Sequence, residues 1–201
     1  MRHPLARAAS LAALVAVAVA GFAPAAFAHV GDHSHMSFME GLMHPLGGLD
    51  HILAMVAVGL WASQIGDRAL WLLPLTFPAV MVAGGVLGMS GAALPWVEAG
   101  IAASVMVLGA AVAFALRPSL AVSMPLIGAF ALLHGYAHGV ELPADASALH
   151  YAAGFVAATL MLHLTGIGLG LAAARVPVRF AARAAGGAIA ALGVVLLVMQ
   201  Q

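Results

Sequence analysis

The chain has 201 residues, of which 64% are hydrophobic and 7% charged, and seven arginines balance seven acidic residues. A soluble domain carries roughly a quarter of charged residues, so lipid rather than water must cover most of this protein. The balanced charge argues against nucleic-acid binding, the absence of lysine excludes a Walker-type ATP loop, and the absence of cysteine excludes thiolate metal sites.

The N-terminus has the three parts of a secretory signal peptide. Arg2 and Arg7 form a basic region, residues 11–20 an apolar core, and residues 26–28 an Ala-Phe-Ala cleavage site. Cleavage there predicts three parts: a signal peptide (1–28), a periplasmic histidine-rich segment (29–43) and a transmembrane domain (44–201). An uncleaved signal anchor is the alternative, and it too leaves the residue after Ala28 outside the cytoplasm.

The predicted mature N-terminus is rich in histidine. A tract of this kind is often a weak collector of metal ions, and a new N-terminal amine would add a further ligand. An accidental polar tail is the alternative. The predicted metal-capture residues are His29, Asp32, His33 and His35.

Six apolar stretches follow this segment. A helix that spans a bilayer needs about 20 mostly apolar residues, and apolar strands would leave backbone groups unpaired in lipid. The stretches are 44–63, 69–89, 96–116, 119–138, 148–173 and 181–199. The sequence therefore predicts an all-α fold, a polytopic membrane helix bundle with six transmembrane helices after a cleaved signal peptide.

The charges between the stretches predict how the bundle is oriented. With the mature N-terminus outside, the arginines fall on the cytoplasmic side and the acidic residues on the outer side, as the positive-inside rule requires. The arginines of the mature chain are Arg68, Arg117, Arg175, Arg179 and Arg183, and the five acidic residues that fall on the outer side are Asp32, Glu40, Glu98, Glu141 and Asp145. We expect the bacterial inner membrane, with the mature N-terminus in the periplasm.

A first polar cluster lies at the outer end of the first stretch. His44 and His51 are two helical turns apart and would share a face of one helix, and Asp50 joins them only if that helix is irregular. Pro45 suits a helix start, and the Gly-Gly pair at 47–48 loosens the next turn. Ionisable residues in membrane segments usually have a function, although capping residues are the alternative.

A second polar cluster lies at the outer end of the fourth stretch. His134 and His138 are four positions apart, a common spacing for two imidazoles on one metal ion, and Glu141 continues the same helix face. An interhelical hydrogen-bond cluster is the alternative. The topology predicts that both clusters lie at the same depth.

Three further residues carry weaker signals. Glu98 and His150 begin the third and fifth stretches at the same depth as both clusters, where a favourable helix-dipole contact or an interfacial position would also explain them. His163 lies in the middle of a helix and either lines a pathway or hydrogen-bonds a neighbour.

The donor types narrow the choice of metal. Asp50 and Glu141 would cancel the charge of a dication, and four imidazoles would supply nitrogen ligands. Calcium and magnesium prefer oxygen ligands, and copper(I) prefers sulfur. Nickel, cobalt and zinc stay open.

Two motifs carry a resemblance to a known family. They read His44-Pro45-x-x-Gly48-x-Asp50-His51 and Leu133-His134-Gly135-x-x-His138-Gly139-x-Glu141. In this order they resemble the signatures of the HupE/UreJ family of hydrogenase and urease accessory proteins, with Leu133 where that family usually has phenylalanine. The resemblance covers essentially the whole mature chain. It implies a nickel permease, with cobalt as a second cargo, whose metal residues are His44, Asp50, His51, His134, His138 and Glu141.

These observations predict a secondary permease or facilitator that moves Ni²⁺ or Co²⁺ from periplasm to cytoplasm for metalloenzyme maturation. We expect lipid and the metal ion as partners, no permanently bound cofactor and no enzymatic activity. The sequence leaves the oligomeric state open, a homo-oligomer included. The alternatives are an intramembrane metal-dependent hydrolase and a metal sensor or chaperone without transport.

Overall fold

The computed structural model of the protein describes residues 33–142, 147–175 and 180–200. These residues form seven α-helices and no strand. The helices are α1 (His33–Gly47), α2 (Leu49–Ile65), α3 (Ala69–Met89), α4 (Val97–Ala113), α5 (Leu120–Glu141), α6 (Ala148–Arg175) and α7 (Ala181–Met199). The predicted all-α fold is confirmed, while the predicted signal peptide (1–28) lies outside the described residues.

The six predicted apolar stretches correspond to α2 to α7, although α2, α5 and α6 extend two or three residues past the predicted ends. The bounds of α3 and α7 are those predicted, 69–89 and 181–199, because charged or polar residues flank both stretches. Four helices, α3, α5, α6 and α7, are long and apolar enough to cross a membrane, and α1 with α2 would make a fifth span as one bent pair. The remaining helix, α4, is apolar but has only 17 residues. Six crossings therefore stay a prediction.

Apolar side chains on the outside of the bundle identify lipid as its surroundings. Trp71, Leu75, Val82 and Val86 of α3 are each about half exposed, although they are large and hydrophobic. Their spacing places them on one helix face, turned away from the core. Contiguous apolar surface of this kind is unstable in water. The protein is therefore a helical membrane protein.

The start of the transmembrane domain differs from the prediction. We expected one helix from residue 44, but the chain bends by 82° between α1 and α2. The break falls at Gly48, which is extended (φ −100°, ψ 120°) and precedes the first residue of α2. Pro45 does not start a helix but lies inside α1. The prediction that His44 and His51 share a face of one helix is therefore wrong, because the two residues lie on different helices.

Part of the predicted periplasmic segment (29–43) is helical. Residues 33–47 form α1, which packs along α6, and Ser37 is buried. Gly41 and Gly154 allow this close packing, since a Cβ on either would overlap a backbone carbonyl of the other helix. The described part of the segment is therefore joined to the bundle rather than projecting from it.

The centre of the bundle is α2, which contacts α1, α3, α4, α6 and α7. Its residues Ala54, Met55, Val58 and Trp61 are fully or almost fully buried. The other helices pack in pairs around it, α3 with α5 and α4 with α7. This arrangement brings the first turn of α2 to the middle of one end of the bundle.

The two ends of the bundle carry opposite charges. Asp50 and Glu98 lie in the first turns of α2 and α4, and Glu141 is the last residue of α5. The helix order places Arg68 and Arg117 at the opposite end. There the Trp61 indole N–H donates to the Leu116 carbonyl (2.8 Å), which ties the ends of α2 and α4 together. The acidic end also carries most of the histidines.

Candidate metal site

A cavity of about 480 Å³ opens at the acidic end of the bundle. The ends of α1, α2, α4 and α5 form it, so it joins both polar clusters that the sequence analysis singled out. Its lining residues are His44, Gly47, Gly48, Asp50, His51, Glu98, Ile101, Ala137, His138 and Glu141. The two clusters, which the sequence places at the same depth, therefore lie in direct contact.

Asp50 orients the imidazole of His51. The Asp50 Oδ1 atom lies 2.8 Å from Nδ1 of His51 and also accepts from the His51 backbone N–H at 2.9 Å. A proton on Nδ1 donates to this carboxylate, and Nε2 then carries a free lone pair. Histidines that bind metals commonly have such a carboxylate behind them. Gly48 makes room for this pair, because a Cβ there would lie 2.6 Å from His51 Nδ1 and 2.7 Å from Asp50 Oδ1.

The free nitrogen of His51 faces His138 of α5. The two Nε2 atoms lie 2.7 Å apart, and both residues are buried. Two nitrogens at right angles on one ion, each about 2.05 Å from it, are about 2.9 Å apart. The separation therefore suits two adjacent ligands of a single metal ion. Without metal, a proton on one Nε2 donates to the other.

His44 and Glu141 complete the cluster on its water-facing side. His44, His138 and Glu141 each offer a ligand atom within 4.8 Å of the others. Glu141 Oε2 lies 3.6 Å from His44 Nε2 and 3.8 Å from His138 Nδ1, both too long for hydrogen bonds. The Glu141 side chain is 56% exposed. The separation of Glu141 Oε2 and His44 Nε2 is close to the roughly 3.3 Å between two tetrahedral ligands, each about 2.05 Å from one ion.

His134 lies one helical turn deeper on α5 and is fully buried. Its Nδ1 lies 2.9 Å from the Phe130 carbonyl, to which an Nδ1 proton donates. Its Nε2 has no partner, and its ring centroid lies 5.1 Å from that of His51. His134 therefore has a ring nitrogen without a partner beside the cluster, and the backbone holds the ring in one tautomer.

Two aromatic residues of α6, which the sequence analysis missed, form a wall of the site. The Phe155 ring lies 4.2 Å from the His138 ring, and the Tyr151 ring lies 5.9 Å from the His44 ring. Both are buried and lower the local dielectric, which strengthens charge interactions in the site. Only their spacing of four positions indicated a shared face, and apolar residues at that spacing are ordinary in a membrane helix.

The weaker candidates separate into two groups. Glu98 lines the cavity and adds a third carboxylate to it. His150 is exposed and pairs instead with Ser147, whose Oγ lies 2.8 Å from its Nδ1. Among the predicted capture residues, His29 and Asp32 lie outside the described residues. His33 and His35 are in the first turn of α1, where the backbone alone is described.

The assembled groups form a mixed nitrogen and oxygen donor set with excess negative charge. His44, His51, His134 and His138 supply imidazoles, and the carboxylates of Asp50, Glu98 and Glu141 surround them. Such a set suits a divalent transition metal, since imidazole supplies borderline nitrogen ligands and carboxylates offset the charge. Exposure decreases from Glu141 through His138 to His134, so the ligands lead from water into the bundle.

Comparisons with known proteins agree with the two motifs. A sequence model of the HupE / UreJ protein family matches residues 17–196. Protein HupE of Rhizobium leguminosarum bv. viciae is 50% identical over 173 residues, which cover 86% of this chain and 90% of that protein. No solved structure matches the chain.

Proposed function

Because this chain belongs to the HupE/UreJ family, we propose that it is a secondary permease for a divalent transition metal, Ni²⁺ first and Co²⁺ second. It takes the ion from the periplasm into the cytoplasm, where metalloenzymes are matured. The observation that carries this proposal is the pair of Nε2 atoms of His51 and His138, 2.7 Å apart in the cavity at the acidic end of the bundle.

The donor chemistry supports a transition metal over other cations. Calcium and magnesium favour cages of oxygen ligands, whereas imidazoles predominate around the His51–His138 pair. Copper(I) favours sulfur, and the chain has no cysteine. Nickel, cobalt and zinc all suit the geometry, and the resemblance of both motifs to a nickel permease family favours nickel.

The charge distribution supports uptake from the outer side. The cavity opens at the acidic end, and Arg68 and Arg117 lie at the other. Arginines collect on the cytoplasmic side of inner-membrane proteins, so the cavity faces the periplasm. Glu141 and His44 at its mouth meet a hydrated ion first, and His51 and His138 take it from them.

A whole-cell experiment tests this function. Uptake of radioactive nickel is measured in cells that lack their own nickel importers and express the wild type, His51→Ala, His138→Ala or the exposed control His150→Ala. We expect uptake with the wild type and the control but not with the two site variants at equal membrane expression. Cobalt and zinc as competitors rank the selectivity.

The outcomes separate this proposal from its alternatives. Wild-type cells that take up none of the three metals above background would contradict the permease. If the purified protein then still binds nickel, the sensor or chaperone function takes its place. Chelator-sensitive cleavage of a membrane substrate would instead identify the hydrolase.

A further inference from the structure

Two polar residues buried in α6 have no assigned role in the cavity. Thr159 and His163 are both fully buried, and the Thr159 hydroxyl and both ring nitrogens of His163 have no hydrogen-bond partner. Buried polar atoms without partners are few in native proteins, and each one calls for an explanation. The other such side-chain atoms in the described part of the chain belong to Gln64, His134 and His138. Two of these three residues belong to the candidate metal site.

The α6 helix connects these residues to the metal site. Tyr151, Phe155, Thr159 and His163 recur at every fourth position, which places them in one stripe along the helix. The outer two, Tyr151 and Phe155, form the aromatic wall of the metal site. At about 1.5 Å per residue, His163 lies about 12 Å deeper than Phe155. The stripe therefore leads from the cavity to the middle of the bundle.

A second line of contacts reaches His163 from the other side. The Phe77 ring of α3 lies 5.4 Å from the His134 ring and 5.4 Å from the His163 ring. His134 is itself 5.1 Å from His51. Phe77 is fully buried and thus separates two histidines that each have a ring nitrogen without a partner.

We propose that Thr159 and His163 form an inner transit site for the transported metal ion, separated from the outer site by the Phe77 ring. This inference rests on the proposed permease function. The inner site offers an imidazole and a hydroxyl without a carboxylate in the stripe, so it binds a dication more weakly than the outer site. Conduction needs such weak intermediate binding, because an ion that is held tightly midway does not leave.

A purely structural role for His163 makes a different prediction. A ring nitrogen of His163 approaches the Pro74 carbonyl without reaching hydrogen-bond geometry. That carbonyl lacks its usual partner four residues on in α3, because residue 78 is also proline and has no N–H to donate. If His163 served only this carbonyl, Pro78→Ala would supply the missing N–H and make the histidine dispensable.

The test measures two properties of each variant: nickel binding by the purified protein and initial nickel uptake by cells. His163→Leu and the isosteric Thr159→Val are expected to keep wild-type binding at the outer site. Uptake should fall at least about tenfold for His163→Leu, the scale on which loss of a metal-supporting group is felt. His150→Leu, on the same helix but exposed, is the matched control.

The outcomes are distinct. Wild-type uptake by both His163→Leu and Thr159→Val would overturn the inner site while leaving the permease intact. If Pro78→Ala/His163→Leu takes up nickel as fast as Pro78→Ala alone, His163 has only a structural role. That result would also overturn the inner site. If His163→Leu also loses nickel binding at the outer site, the uptake rate of Thr159→Val, rather than that of His163→Leu, tests the inner site. No uptake by the wild type would remove the permease function and the inner site together.

Discussion

The Nε2 atoms of His51 and His138 lie 2.7 Å apart, although 87 positions separate the residues in the chain. Each residue comes from a different signature motif: the first motif spans the end of α1 and the start of α2, and the second ends α5 at the same end of the bundle. Asp50 fixes one imidazole from behind, and the Phe155 ring packs against the other. The two motifs thus build one site, and four predictions follow from how it is built.

The Asp50 carboxylate, which contacts Nδ1 of His51, should raise the affinity of His51 for metal. Asp50→Asn keeps an oxygen that accepts from His51 Nδ1 but removes the negative charge that raises the basicity of the ring. We expect nickel binding about 10- to 100-fold weaker, measured by titration calorimetry on the purified protein. Asp67→Asn at the opposite end is the control, and its positive φ of 46° suits asparagine. Equal affinity in Asp50→Asn and wild type would show that Asp50 does not support a ligand.

Gly48 should be needed for the site rather than for the fold. Its backbone conformation is open to any residue, but a Cβ would collide with both Asp50 and His51. We expect Gly48→Ala to weaken nickel binding at least about tenfold while the protein stays folded. The neighbouring Gly47→Ala is a close control, since a Cβ there meets nothing within 4 Å. Equal binding by the two variants would contradict the role given to Gly48.

Uptake should depend on external pH because protons compete with metal for imidazole. A histidine ligand must be neutral, and an imidazole with an ordinary pKa of about 6.5 gains its proton below that pH. Protonation removes ligands, so the initial rate of nickel uptake should fall as external pH drops from about 7.5 to about 5.5. Since burial lowers the pKa of an imidazole, only a rate that stays level down to about pH 4 would count against histidine ligation in the rate-determining site.

The close packing of α3 against α5 should be sensitive to one methyl group. A Cβ on Gly84 would overlap the Leu132 backbone, whereas a Cβ on Gly85 would make an ordinary contact with the Gly135 carbonyl. We expect Gly84→Ala to destabilise the bundle by about 1–3 kcal/mol, and Gly85→Ala by much less. Thermal unfolding in detergent compares them. Equal unfolding temperatures would show that the two helices can move apart at no cost.

Hydropathy and charge were enough to predict where α3 to α7 lie, but they did not predict α1. The bounds of α3 and α7 follow directly from apolar stretches that end at polar or charged residues. The bend at Gly48 could not be predicted in the same way, because the local pattern around His44 and His51 also fits a continuous helix. A Gly-Gly pair indicates that a helix can bend or break there, but it does not predict the angle of the bend.

The chemistry was partly visible in the sequence. His44, Asp50, His51, His134, His138 and Glu141 stood out because ionisable residues are rare in apolar stretches, and the structure brings all six together. Tyr151 and Phe155 gave no signal, since their role depends on which helix packs beside α1. His163 had two interpretations because a single buried histidine gains meaning only from its neighbours, here Phe77 and Thr159.

The most direct test of the central claim is nickel flux into liposomes that contain only the purified protein. External Ni²⁺ is added, and its entry is followed with an indicator trapped inside. We predict entry above that of protein-free liposomes with the wild type and none above it with His138→Ala. Equal entry by the wild type, His138→Ala and protein-free liposomes would contradict the permease.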